Sequence, residues 1–190
     1  MSYLAFELND IYTYADYLSW DTDTRYEIID GIAYAMASPT ARHQGISREL
    51  MVLIYEFLKD KPCRAFTAPF YVGLFPDEDE SDTTVVQPDI LVVCDKLKLS
   101  DGKACKGAPD LIIEILSEGS VIMDRDVKAR KYREAGVKEY WIVNADTLDV
   151  QVNLLTDGCY VSTVFKDSVK SSVLSGLTVN LDTIRANIPV

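Results

Sequence analysis

The feature that most constrains this chain is a carboxylate set inside an aliphatic run, Pro109-Asp110-Leu111-Ile112-Ile113-Glu114-Ile115-Leu116-Ser117. Runs of four to eight aliphatic and β-branched residues, bounded by Gly, Pro and charge, read as buried strands. An ionised carboxylate is costly to bury unless a cation or hydrogen-bond donors meet it. Glu114 must therefore have a compensating partner. A second apolar run, Val85 to Val93, carries Asp89, and a basic helix follows from about Met123 to Ala135, with Arg125, Lys128, Arg130, Lys131 and Arg133, stopped by Gly136. Acids on two neighbouring strands point to a divalent metal as the partner. The structural alternative is an ion pair of Glu114 with Lys128 or Arg125.

Two buried carboxylates with a lysine close by are the usual apparatus for metal-assisted phosphodiester hydrolysis. Hard oxygen ligands suit Mg²⁺ or Mn²⁺, ions that keep waters for substrate and nucleophile. Such a metal polarises a phosphoryl oxygen and lowers the pKa of bound water, while a lysine stabilises charge developing on the phosphorus centre. The fourteen residues between Glu114 and Lys128 allow a strand-turn-helix to bring the lysine back over the strand end. Each residue also has a plainer reading. Asp89 and Asp110 follow prolines, where an aspartate caps backbone amides. Lys128 lies in a charge run of the kind that usually faces solvent. His43, the only histidine, fits a capping or packing role near a helix start, and Glu27 fits an ion pair with Arg25 or Arg42.

Along the chain, Thr13 to Leu18 reads as a short helix. Asp30-Gly31, between Arg25–Ile29 and Ile32–Met36, is a hairpin signal, because a tight turn needs positive φ angles. A helix is expected from about His43 to Lys59, with Ile46, Leu50, Leu53, Ile54, Phe57 and Leu58 at helical spacing. Cys63 to Leu74 reads as one or two strands, followed by the acidic loop Asp77 to Asp82. Further strands are expected at Val137–Val143, Val150–Leu155 and Tyr160–Phe165, the last two joined through Thr156-Asp157-Gly158-Cys159. The tail from Val173 to Leu181 adds an edge strand or short helix. This order predicts an α/β chain: a central mixed sheet flanked by helices, one domain over residues 1–190.

No apolar run approaches the roughly 20 residues needed to span a bilayer, and Met1 to Glu7 does not read as a signal peptide. A cytoplasmic location is expected, with the scattered Cys63, Cys94, Cys105 and Cys159 as reduced thiols. The formal net charge of −11 repels nucleic acid at long range, and basic faces are the norm in its binders. Much of the acid is concentrated in Asp77 to Asp82, and the charge as a whole favours a module that binds without cutting over an efficient, non-specific nuclease.

The set Arg25-Tyr26-Glu27-Ile28-Ile29-Asp30-Gly31, Ser38-Pro39-Thr40 with His43, Gln87-Pro88-Asp89, Gly107 to Ser117, Asp124, Lys128, Tyr132 and Gly136 to Val143 resembles the Uma-two family, a branch of the PD-(D/E)XK nuclease superfamily. The resemblance implies a restriction-endonuclease-like core, with Asp89 and Glu114 as metal-binding acids and Glu27 a further acid beside them. The superfamily's Glu-x-Lys would put lysine where this chain has Leu116, and the resemblance assigns Lys128 to that space instead. Asn144 stands where the family commonly has Asp. The implied activity is Mg²⁺-dependent cleavage of DNA, carried by Asp89, Glu114, Lys128 and Glu27, in a homodimer suited to cutting two strands. Two other readings compete. One is the same fold with a dead site, binding nucleic acid or a protein. The other is an interaction protein that binds through exposed Tyr12, Tyr14 and Tyr17.

Overall fold

The computed structural model describes residues 11–77, 80–117 and 119–188; the N-terminal stretch read against a signal peptide and two residues of the acidic loop lie outside them. Helix α1 (Tyr14–Ser19) starts at a capping box, in which Thr13 and Asp16 satisfy each other's backbone amides. Strands β1 (Tyr26–Ile29) and β2 (Ile32–Ala35) form the expected hairpin, with Asp30 and Gly31 at φ 52° and 78°. Helix α2 (Ala41–Leu58) is N-capped by Thr40, whose hydroxyl accepts from the His43 amide. It buries Ile46, Leu50, Ile54 and Leu58 along one stripe.

Strands β3 (Arg64–Thr67), β4 (Tyr71–Gly73), β5 (Val85–Val86), β6 (Ile90–Val93), β7 (Ala104–Lys106) and β8 (Leu111–Leu116) follow. After β8 the basic segment opens as a wide π-helical turn over Met123–Lys128 and tightens into α3 (Ala129–Ala135), which ends at Gly136 with φ 88°. Strands β9 (Glu139–Asn144), β10 (Val150–Thr156) and β11 (Cys159–Phe165) complete a meander, the last turn using Asp157 and Gly158 at positive φ. The tail holds a small hairpin, β12 (Ser168–Lys170) with β13 (Thr178–Asn180), and helix α4 (Leu181–Asn187).

The expected mixed sheet is divided in two. Six strands run in the order β11-β10-β9-β8-β6-β3, with β8 parallel to β9 and antiparallel to β6; five run β2-β1-β5-β4-β7. Side chains alternate along β8, so Leu111, Ile113 and Ile115 enter the core under α2 and α4, while Ile112 and Leu116 enter a second core with Tyr132, Tyr140 and Ile29. Glu114 has the parity of the second core. Strands β7 and β12 and the break between β5 and β6 were not expected from the sequence, because strands of two and three residues lack the length for a readable period.

Two sequence expectations are corrected. Tyr14 is buried, and Tyr12, Tyr17, Trp20, Tyr26 and Tyr71 stack edge-on around one another, so the N-terminal aromatics form packing rather than a binding face. The register that sets Arg64 opposite Val93 continues into Cys63 and Cys94, which form a disulfide rather than a pair of thiols. Cys105 and Cys159 are free. Glu139 is fully buried and accepts from Trp141 Nε1 and from the Ser172 and Val173 amides, tying the C-terminal loop to β9. Among the described residues no helix is long and apolar enough to cross a membrane. Thiol titration of the denatured, unreduced protein is expected to count two thiols, rising to four after reduction. Closing 31 residues of chain, the bridge contributes about 3–4 kcal/mol, so reductant should lower the urea midpoint; a count of four without reductant would remove the bridge.

Candidate active site

Continuing the β6–β8 register by one pair sets Asp89 directly opposite Glu114. The two are interlocked. The Asp89 amide donates to Glu114 Oε2 at 3.2 Å, and Asp89 Oδ2 accepts from the Ile115 amide at 2.8 Å. Asp89 Oδ2 also lies 3.1 Å from His43 Nε2, reaching over from the first turn of α2. Glu114 Oε1 accepts from Lys128 Nζ at 2.7 Å and from the Tyr132 hydroxyl at 2.8 Å. Lys128 Nζ is 2.9 Å from Glu27 Oε1 and 3.4 Å from Asp124 Oδ1. Glu27, on β1 of the other sheet, further accepts from the Gln87 amide. Three acids, one from a strand of each sheet and one from the basic segment itself, thus converge on one ammonium group.

The wide turn explains how Lys128 arrives. Asp124 and Lys128 are four apart on a helical face, and the loosened first turn carries both inward toward β8 rather than along the solvent face. Lys128 is 4% exposed and Glu114 3%. The structural reading of an ion pair at Glu114 is therefore realised, with Lys128 and not Arg125. Glu27 pairs with this same lysine, not with Arg25 or Arg42; Arg42 donates to the Ala145 and Asp146 carbonyls. Asp89 does cap an amide, and Asp110 caps Cys94 and pairs with Lys138, away from the cluster.

One lysine does not neutralise four acids. Burial and the charges of Asp124, Asp89 and Glu27 push the Glu114 carboxyl up to about 8, against the opposing pull of Lys128. Burial likewise raises Asp124. Lys128 is held protonated: burial works against its charge, but the carboxylates around it win, Glu114 foremost. Burial also works against a charged His43, and the Asp89 hydrogen bond and charge outweigh it. Three buried polar atoms have no hydrogen-bond partner among the described residues; His43 Nδ1 and Gln87 Oε1 belong to this cluster, and the third, Asp82 Oδ2, lies outside it.

The donor set fits a hard divalent ion. Its free-standing charge is negative, its donors are oxygens, and Asp89 is the member that reaches solvent, its side chain 20% exposed. No group of three His, Cys, Asp or Glu forms a metal cage among the described residues.

Sequence patterning singled out Asp89, Glu114 and Lys128, the family resemblance added Glu27, and the structure brings the four side chains together. Patterning passed over Asp124, Tyr132 and Gln87 as chemistry. The i, i+4 spacing of Asp124, Lys128 and Tyr132 was a readable signal that they share one face; nothing local marked Gln87.

A model of the Uma2 family, described as "Putative restriction endonuclease", matches residues 14–183. Among solved structures, the chain is similar to one from Anabaena variabilis described as "a putative nuclease belonging to DUF820", with a TM-score of 0.70 and 22% identity over 92% of this chain and 98% of that one. Comparison with curated proteins gave no match.

Because the folded state holds the Glu114 proton more tightly than the unfolded chain does, that group's contribution to stability is full below about pH 4.5 and is lost as pH rises toward 8. In EDTA, the stability of wild type relative to Glu114→Gln is expected to fall across this window, measured by urea unfolding at several pH values. Parallel curves would show that Glu114 is not under this strain.

Proposed function

The chain belongs to the Uma2 family, and from that footing we propose that it is a Mg²⁺-dependent endonuclease that hydrolyses phosphodiester bonds in DNA. The observation that carries this reading is the interlock of Asp89 with Glu114 at the edge of a buried cluster whose negative charge exceeds its lysine. In this proposal Asp89 and Glu114 hold Mg²⁺, with Mn²⁺ able to replace it. Bound there, the ion supplies Lewis-acid polarisation of a phosphoryl oxygen and a more acidic water.

The protein's own residues have separable tasks. The Ile115 amide and His43 grip one oxygen of Asp89 and aim its carboxylate. Lys128 and Tyr132 grip Glu114 Oε1 in the same way. Lys128 stays protonated, so it is a fixed cation near the scissile phosphate, not a proton acceptor; it offsets charge that grows in the transition state. Glu27, braced by the Gln87 amide, holds Lys128 in place, and Asp124 holds it from the other side. A water oxygen bonds to phosphorus as the phosphorus–oxygen bond to the leaving strand breaks; the water's proton passes to solvent, and the leaving oxygen takes a proton from solvent in turn. Cytoplasmic action and a homodimer that cuts both strands belong to the same proposal.

The rival reading is a nuclease fold that binds without cutting. Purified protein incubated with supercoiled DNA and Mg²⁺ discriminates. Nicking is expected, abolished by EDTA and reduced at least about 100-fold in Asp89→Ala and Glu114→Ala. His43→Ala, which removes a partner of a ligand rather than a ligand, is expected to lose about 10–100-fold. Nicking unchanged in Glu114→Ala would mark a contaminant, and absence of nicking with either metal would favour the binding module.

A further inference from the structure

Beside the carboxylates, α2 and the end of β3 enclose a groove of about 270 Å³ whose lining includes Gln44, Ser47, Arg48, Met51, Thr67 and Asp89. The helix residues recur at three- and four-residue steps, so they form one stripe of α2, separate from the Ile46, Leu50, Ile54, Leu58 stripe that packs the core. Asp89 is one of the groove's lining residues, and it is the same aspartate that interlocks with Glu114 and the Ile115 amide. The groove is therefore continuous with the proposed chemistry, and whatever strand presents its phosphate to Asp89 must run along it.

Its dimensions and walls select the occupant. The volume lies just below the range of about 300–1,000 Å³ found for ligand sites, the scale of one nucleotide unit and too small for a duplex. The walls are mixed: Gln44, Ser47, Thr67 and Arg48 offer polar groups for sugar and phosphate, while Met51, Val52 and Ala68 offer apolar contact for a base. Arg48 is exposed at the rim, where its guanidinium donates to the Asn187 carbonyl and to Glu49. It is the one cation among the groove-lining residues. A duplex binder draws its affinity from many neutralised phosphates; a chain of net charge −11 with a single arginine at the cleft is built for a local grip.

We propose that this groove binds one unpaired nucleotide of a DNA strand, so that the protein takes single-stranded or frayed DNA in preference to intact duplex. The inference rests on the nuclease reading for its choice of ligand. Arg48 meets the backbone of the flanking phosphate, and the base lies against Met51 and Val52.

The test is fluorescence anisotropy with a labelled 12-nucleotide single strand and the same sequence as a blunt duplex, using the full chain in Ca²⁺. The single strand is expected to bind at least tenfold more tightly. Ser47→Trp, which fills the groove, should erase that preference. Arg48→Ala, a surface change that spares folding, should weaken single-strand binding severalfold and reduce the steepness of log K against log salt by about 0.7, one phosphate's worth for a single strand. Mn²⁺ binding at Asp89 should be unchanged in both variants. Equal affinity for the two DNA forms, or unaltered salt dependence in Arg48→Ala, overturns the groove assignment. The two readings fail separately: loss of single-strand binding in the variants without any cleavage by wild type keeps the groove and sinks the nuclease, while cleavage with wild-type binding in both variants does the reverse.

Discussion

The molecule is arranged about a single ammonium group. Lys128 Nζ sits among Glu114, Glu27 and Asp124 with almost no access to water. Breaking such a buried pairing by deleting one member costs about 3–5 kcal/mol, whereas apolar residues of similar shape would cost little or nothing. Stability alone thus gives no reason for four acids here. An aliphatic core at positions 27, 114, 124 and 128 would serve the fold as well. What the charged version provides is a negative pocket of defined shape at the one point where Asp89 opens it to solvent.

Topology is what makes the pocket. Period-two alternation puts Glu114 on the face shared with Ile112 and Leu116, and antiparallel pairing with β6 sets Asp89 across from it. The connection from β8 to its parallel neighbour β9 must cross the same face, and the basic helix is that crossing. The five-stranded sheet then closes the far side and delivers Glu27. Glu27 and Glu114 stand on strands, Asp124 and Lys128 on the helical turn, and Asp89, one residue ahead of β6, is held by the Ile115 amide and His43, so the carboxylates are oriented before any ligand arrives.

How much of this was legible depended on the range over which each signal acts. Helix α2, both Gly-containing hairpins and the acid-bearing strand β8 are written in local period and turn chemistry, and they stand where the sequence put them. The partnership of Glu114 with Lys128 was legible as a spacing, but the competing readings for Glu27 could not be separated, since its partner lies 101 positions away and is chosen by the closure of two sheets. Division of the sheet followed from strands of two and three residues at β5, β4 and β7, too short to announce a period. Cys63 and Cys94 read as unrelated thiols because their proximity is a product of β3–β6 register, which only tertiary pairing sets. The N-terminal tyrosines read as exposed for a similar reason: the rings that cover them come from Trp20, Tyr26 and Tyr71.

Surplus negative charge buried in this way calls for a doubly charged ion at Asp89 and Glu114. Calorimetric titration of Mn²⁺ into the metal-free protein tests it most directly. One binding event per chain is predicted, abolished in Asp89→Ala and retained in a surface control such as Asp182→Asn. Absence of any metal-dependent heat, or a heat that survives intact in Asp89→Ala, would contradict it.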